Sequence, residues 1–165
     1  MGKHQASRYH DFSYGHRVVG HENKCRHLHG HNGRVHFHCQ ADLGVKSLDN
    51  IGRVIDFGEI KSRLCMWIEE NWDHKFLAWE KDLLINGLFE LLDKDENEGP
   101  SYVVHQVEDQ MFRESIVLLP FNPTAENMAE YLVNVIGPKQ LEGTGIVLVE
   151  VVIEETAKCH ASFSL

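Results

Sequence analysis

The chain has 165 residues, enough for a single domain spanning residues 1–165, and its 42% hydrophobic and 25% charged residues are typical of a folded globular protein. No apolar run reaches the roughly 20 residues of a membrane-spanning helix, and a net charge of −9 without clustered Lys and Arg argues against a nucleic-acid surface. The polar start of the chain does not resemble a signal peptide, and the four cysteines include no C-x-x-C pair. We therefore expect a cytoplasmic protein with free thiols that binds neither a membrane nor a nucleic acid.

The first predicted element is an extended segment over residues 11–19. In it His16 shares the parity of the apolar residues Phe12, Tyr14 and Val18. Because successive side chains of a strand point to opposite faces, His16 is predicted to face inward.

The second predicted element is a strand over residues 32–43. Its apolar side comprises Val35, Phe37, Cys39, Ala41 and Leu43. Extending this parity backwards places His29 and His31 on the same side, whereas His36 and His38 fall on the polar side. Two imidazoles are thus predicted to converge at the start of this strand.

Capping signals in the sequence predict two helices. Asp56 with Glu59 three residues later predicts the start of the first helix. Asn122-Pro123 predicts the start of the second, and Gly137-Pro138 predicts its end.

Two further strands are predicted near the end of the chain. The segment 146–156 is rich in β-branched residues, and Glu155 ends its apolar face. That face is predicted to comprise Val147, Val149, Val151 and Ile153. A short last strand over residues 160–165 can pair with it through a tight turn.

Between the two helices, residues 78–119 include an acidic run and are predicted to be an insertion on the surface. The remaining order is strand, strand, helix, helix, strand, strand. It predicts an α+β domain with a four-stranded antiparallel sheet and two helices on one face.

Seven of the 12 histidines lie between His16 and His38. Because alternate strand residues face the same way, the His29-Gly-His31 pair can hold one ion, and His16 can supply a third ligand. Three neutral imidazoles with one open position are typical of a catalytic zinc site. His27 shares the parity of this pair and is an alternative ligand.

Cys25 lies four residues before His29, which leaves two interpretations open. As a fourth ligand it would close the site into a structural zinc centre. Beside an open site, it would act as a base toward a bound substrate.

Several motifs resemble those of the 6-pyruvoyl-tetrahydropterin synthase and QueD (6-carboxytetrahydropterin synthase) family, across residues 12–156. They are His16-Arg, Cys25-Arg-His-Leu-His29-Gly-His31, Asp56-Phe, Trp-Asp73-His74, Asn-Pro-Thr124-Ala-Glu-Asn and Glu155-Thr156. The resemblance implies the tunnelling fold (T-fold), in which sheets of several subunits join into a barrel with active sites at subunit contacts. A homo-oligomer, in the form of a hexamer built as a dimer of trimers, is expected on the same ground. Residues 78–119 would then be an insertion that is atypical of the family.

The resemblance also implies residue roles. The zinc ligands are His16, His29 and His31. The catalytic cysteine is Cys25, the acid/base dyad is Asp73 with His74, and the pterin anchor is Glu155. Thr124 is expected to contact the pterin, and Lys24 and Arg26 are candidates for contacting a triphosphate.

The implied reaction is the zinc-dependent conversion of 7,8-dihydroneopterin triphosphate. The three residues between Cys25 and His29 resemble the QueD branch, which yields 6-carboxy-5,6,7,8-tetrahydropterin, acetaldehyde and triphosphate on the route to queuosine. The pyruvoyl branch, with a five-residue spacing and a retained side chain, is the alternative, and magnesium assistance is left open. More distant alternatives are a zinc hydrolase and a non-enzymatic zinc-binding module.

Overall fold

The computed structural model describes residues 3–93 and 106–165, which form one sheet with helices packed against it. Six strands lie in the order β4-β3-β1-β2-β5-β6. Their bounds are β1 Ala6–His16, β2 His29–Ala41, β3 Lys75–Trp79, β4 Ile116–Leu119, β5 Ile146–Thr156 and β6 Cys159–Ser164. The α+β class is as predicted. The prediction of a four-stranded antiparallel sheet is wrong, because β3 and β4 extend the sheet with parallel pairing.

Residues 78–119 contribute to this sheet as well as to the surface. The segment contains the end of β3, the helices α2 (Leu83–Leu92) and α3 (Gln106–Glu114), and β4. Asp82, which caps α2, is fully buried and pairs with Arg17 at 2.8 Å. The surface interpretation is therefore wrong for these parts. Most of the acidic run lies outside the described residues, and a family-atypical insertion stays a prediction.

The helix α1 runs over residues 57–71 as Phe57–Ile60, a π-helical segment Lys61–Cys65 and Met66–Asn71. Its predicted start is confirmed, because an oxygen of the Asp56 side chain accepts the backbone N–H of Gly58 at 2.7 Å. Glu59 pairs with Arg63 one turn later.

The helix α4 runs over residues 125–140 as Ala125–Tyr131, a π-helical segment Leu132–Ile136 and Gly137–Gln140. Both predicted ends are wrong. Its cap is Thr124, and the helix continues through Gly137, where a Cβ would lie 2.8 Å from the Cβ of Leu148. Gly137 thus permits close packing of α4 on the sheet instead of ending the helix.

The core lies between α1, α4 and the inner face of the sheet. Strand β5 has a bulge opposite His38 and Cys39. The bulge changes the parity, so that Leu148 is buried in place of the predicted Val147 and Val149. None of the described helices is long and apolar enough to span a membrane.

Candidate metal centre and its surroundings

Three imidazoles meet at the ends of β1 and β2. His16 lies directly opposite His29 in the antiparallel pair, and His31 lies opposite Tyr14 on the same face. One donor nitrogen from each of the three histidines lies within 4.8 Å of the others. These side chains thus point to the inner face of the sheet, as the alternation predicted.

Hydrogen bonds to backbone carbonyls orient two of the rings. The Nδ1 of His16 lies 2.7 Å from the carbonyl oxygen of Pro123, and the Nδ1 of His29 lies 2.7 Å from that of His27. Because a carbonyl only accepts, each Nδ1 carries the proton, and the neutral ring leaves Nε2 as an acceptor.

These two Nε2 atoms lie 3.1 Å apart. Two lone pairs at that distance repel each other unless a cation lies between them. Tetrahedral zinc with Zn–N bonds of about 2.0–2.1 Å brings its nitrogens to about 3.3 Å from one another. The spacing in this chain therefore suits a metal ion.

Burial keeps the ligands in the form that binds metal. Desolvation lowers the pKa of His16 to about 4, against the opposing effect of its bond to the Pro123 carbonyl. Desolvation also lowers the pKa of His31, whose Nε2 is buried and has no hydrogen-bond partner. Neutral imidazole is the zinc-binding form, so the donor set fits the ion.

Other candidate ligands lie outside this cluster. Among the described residues, the three histidines are the one group of at least three His, Cys, Asp or Glu side chains with metal-site spacing. His27 is exposed and contributes its carbonyl to His29 instead. Cys25 does not join the group, which disfavours a closed four-ligand centre. The described residues also offer no comparable group of carboxylates for magnesium, which prefers oxygen ligands.

Glu155 faces the cluster from the neighbouring strand. It lies at an irregularity in the pairing of β5 with β6, between Glu154 and Thr156. Its carboxylate oxygens lie 3.8 Å from the Nε2 of His16 and 3.9 Å from the Nε2 of His31. The side chain is half-buried, so it can interact with the cluster and with a ligand in the adjacent cleft.

Cys25 lines a cleft of about 320 Å³ together with Thr124 and Glu155. The carbonyl of Cys25 accepts the N–H of Val18 at 2.8 Å. The side chain of Asn122 holds the same loop by bonding both backbone groups of Val19. The cysteine thus lies on a loop that is tied to the start of α4.

The remaining predicted binding residues differ in their placement. Thr124 lines the cleft, and its hydroxyl accepts the N–H of Asn127 at 3.2 Å as the helix cap. Lys24 and Arg26 flank Cys25, but both are exposed and neither lines the cleft.

Asp73 and His74 form a hydrogen-bonded pair. The Nδ1 of His74 lies 2.5 Å from one oxygen of Asp73, and the other oxygen accepts the N–H of Ser13 at 2.7 Å. Desolvation opposes ionisation of Asp73, but the bonds from Ser13 and His74 outweigh it and lower the pKa. The ring of His74 is largely exposed, so its second nitrogen can reach a ligand from solvent.

This pair lies apart from the cysteine. It lines a cleft of about 760 Å³ with outward-facing residues such as Ser13 and Asn32. That cleft shares no lining residue with the one that contains Cys25. His74 also lines a shallow cleft with residues 29–32, which include the cluster histidines His29 and His31. One chain therefore brings Cys25 and Glu155 together but leaves the dyad outside their cleft.

Sequence reasoning missed the residues that support the cluster. Pro123 contributes through its carbonyl, and Asn122 holds the cysteine loop, whereas the sequence suggested only a helix cap for this pair. A backbone acceptor 107 positions from His16 leaves no local signal in the sequence. Tyr14 was predicted as an inward apolar residue, which gives no indication of its hydroxyl.

Comparisons with known proteins assign the chain to a family. The family model described as 6-pyruvoyl tetrahydropterin synthase matches residues 5–164. The chain belongs to this family. A protein of Rickettsia bellii named 6-carboxy-5,6,7,8-tetrahydropterin synthase is 31% identical over 149 residues, which are 90% of this chain and 91% of that protein. The family resemblance predicted from the motifs is thereby confirmed, and the chain is an enzyme of the tetrahydropterin synthase class.

Solved structures agree on the fold. An uncharacterized protein of Wolinella succinogenes has a TM-score of 0.77 at 27% identity, covering 98% of this chain and 97% of that one. The 6-pyruvoyl tetrahydropterin synthase of Caenorhabditis elegans has a TM-score of 0.60 at 21% identity, covering 100% and 97%. At this identity the second likeness concerns the fold alone.

Proposed function

We propose that the chain is a zinc-dependent 6-carboxy-5,6,7,8-tetrahydropterin synthase. It would convert 7,8-dihydroneopterin triphosphate to 6-carboxy-5,6,7,8-tetrahydropterin with release of acetaldehyde and triphosphate. The observation that carries the proposal is the cluster of three imidazoles, with Cys25 and Glu155 lining the adjacent cleft. A cytoplasmic location and a place in queuosine synthesis belong to the same proposal.

His16, His29 and His31 would hold the zinc ion and leave one position open. When bound, zinc supplies a Lewis acid that makes the hydroxyl groups of a substrate side chain more acidic. The carbonyls of Pro123 and His27 fix the two ring orientations that this binding requires.

Cys25 and Glu155 would act on opposite parts of the substrate. Glu155 can accept two parallel hydrogen bonds from a pterin's ring N–H and amino group, which fixes the ring in the cleft. Cys25 can then remove a proton from the side chain as general base. The hydroxyl of Thr124 lines the same cleft and offers a further pterin contact, and the exposed Lys24 and Arg26 would meet the triphosphate outside it.

The dyad would serve the active site of another copy. The hydrogen bond that the Nδ1 of His74 donates to Asp73 fixes the tautomer of His74 and leaves its second, exposed nitrogen as an acceptor. Cys25 and His74 line separate clefts within a chain, so a site that uses both would combine two chains. A homo-oligomer with sites between subunits, as in a hexameric barrel of dimerised trimers, meets this requirement.

Two observations support the carboxy product. The Rickettsia bellii relative carries that name, and the spacing of three residues between Cys25 and His29 is the one we associate with the QueD branch. Retention of the side chain as a pyruvoyl group is the second candidate, because the family model is described by that activity.

Incubation of the zinc-loaded protein with 7,8-dihydroneopterin triphosphate tests the proposal, with products identified by mass and acetaldehyde measured separately. Acetaldehyde with a 6-carboxy product is expected. Triphosphate release without acetaldehyde would select the pyruvoyl branch. Unchanged pterin would contradict both, and ester or amide cleavage would instead select a zinc hydrolase. The Cys25→Ala variant is the control, since it should keep zinc and lose turnover. Full turnover in this variant would contradict the role of Cys25.

Mixed oligomers test the shared site. Chains with Cys25→Ala and chains with His74→Ala should each be inactive alone. If each site combines two chains, random mixing after reversible dissociation restores about one quarter of the sites. No recovery from a mixture that is shown to exchange subunits would contradict the proposed shared site.

A further inference from the structure

The described residues contain two buried side-chain polar atoms without a hydrogen-bond partner: the hydroxyl of Tyr14 and the Nε2 of His31. Both belong to the same cluster, because Tyr14 lies opposite His31 in the β1–β2 pair. The metal site accounts for His31. It does not account for Tyr14, which is only 4% exposed.

A buried hydroxyl without a partner destabilises a fold, because the group loses its bonds to water. Phe12, two residues earlier on the same face, shows that a phenylalanine ring fits this layer of the core. Packing alone would therefore favour phenylalanine at position 14. The presence of the hydroxyl is explained if it forms a hydrogen bond in another state of the protein.

The ring of Tyr14 is held firmly. It stacks on Phe12 with ring centroids 4.9 Å apart, and it meets His16 edge to face at 5.2 Å. On its other side a Cβ at Gly33 would lie 3.0 Å from the ring, so glycine leaves just enough room. The hydroxyl cannot turn toward a distant partner, which must instead come to it.

Glu155 approaches the same two imidazoles that the Tyr14 ring contacts, those of His16 and His31. The Tyr14 ring centroid lies 5.7 Å from that of His31, whose Nε2 lies 3.9 Å from a carboxylate oxygen of Glu155, and the phenol O–H is a hydrogen-bond donor. Glu155 lies at an irregular position of β5 and is half-buried, which lets its carboxylate reorient. Its oxygens lie 3.8 Å from the Nε2 of His16 and 3.9 Å from the Nε2 of His31.

We propose that Tyr14 is a positioning residue whose hydroxyl donates a hydrogen bond to the Glu155 carboxylate in the zinc-loaded protein. The inference rests on the proposed zinc site. A cation held by the three imidazoles attracts the carboxylate toward the cluster that Tyr14 flanks. Each carboxylate oxygen has two lone pairs, so one oxygen can accept the phenol O–H while both oxygens can still accept a bond from a pterin. Tyr14 would thereby fix the orientation of the proposed pterin anchor.

Thermal unfolding of four proteins tests this pairing: wild type, Tyr14→Phe, Glu155→Ala and the double variant, each with and without zinc. Without zinc, Tyr14→Phe should leave the Tm unchanged or raise it by up to about 4 °C, because an unpaired hydroxyl is removed. With zinc, the same variant should lower the Tm by about 2–6 °C while one zinc per chain is retained. In the Glu155→Ala background with zinc the hydroxyl is unpaired again, so Tyr14→Phe should no longer lower the Tm.

Additive effects of the two substitutions with zinc would overturn the inference, as would equal shifts with and without zinc. Loss of zinc from Tyr14→Phe would also overturn it, since the phenol would then be a ligand. Tyr9→Phe is the matched control, because Tyr9 lies on the same strand and faces the opposite side; its Tm should not change. The test uses no pterin, so failure of the chain to convert the pterin would refute the proposed function without affecting this result.

Discussion

Acidification of the metal-free protein gives a measurable consequence of the buried His16. Its pKa is lowered from 6.5 to about 4, mainly by desolvation. As the pH falls, the His16 imidazole therefore binds a proton near pH 6.5 in the unfolded chain but only near pH 4 in the folded chain. Between these values the unfolded state holds more protons, so the free energy of unfolding falls as the pH falls. His16 alone should remove about 2–3 kcal/mol between pH 7 and pH 4.5.

Urea unfolding in the presence of a chelator, at steps from pH 7 to pH 4.5, measures this loss. This pH range excludes the effect of acidic groups with a lowered pKa, such as Asp73. Their contribution to the free energy of unfolding is lost only below 3.8, the pKa of an aspartate in the unfolded chain. His16→Gln should flatten the profile by the same amount, and the exposed His4→Gln should leave it unchanged. If His16→Gln and wild type lose stability in parallel, the inferred neutral, desolvated state of His16 is wrong.

Three further variants test other parts of the structure. Asp82→Ala should lower the free energy of unfolding by about 3–5 kcal/mol in urea, because it breaks a buried ion pair and a helix cap; a loss below about 1 kcal/mol would mean that residues 78–119 are peripheral after all. Gly30→Ala should lower the affinity for zinc at least about tenfold in competition with a chelator, because the added Cβ would lie 2.9 Å from the carbonyl oxygen of Tyr14. Gly87→Ala is the control and should leave the affinity unchanged, because a Cβ there would have nothing within 4 Å. Equal zinc affinities of the two variants would contradict this reasoning. Asp73→Asn should lower kcat about 100-fold with zinc content unchanged, and an unaltered kcat would remove the dyad from the chemistry.

The strands that carry the metal cluster could be predicted from the sequence because alternation is a local signal. The apolar parity of β2 extends without a break from Val35 back to His29, and the same rule applies to His16 in β1. The rule failed in β5, where one bulged residue near Val149 reverses the parity. A bulge is specified by its partner strand and not by local composition.

The parallel strands could not be found in the same way. β3 and β4 are short, and their pairing depends on residues about 40 positions apart. The acidic run beside them favoured a surface segment, although Leu77 and Leu119 are buried. The start of α4 was misplaced for a related reason: Asn122 was free to cap the helix but bonds the loop at Val19 instead.

The backbone at His74 has a positive φ of 56°, a conformation that costs most residues about 1 kcal/mol or more and that glycine and asparagine adopt readily. Random variation at this position, screened for thermal tolerance alone, should therefore enrich Gly and Asn. A screen for product formation should retain the imidazole. A disagreement between the two screens at one codon would show that side-chain chemistry, and not conformational preference, determines which amino acid stands there.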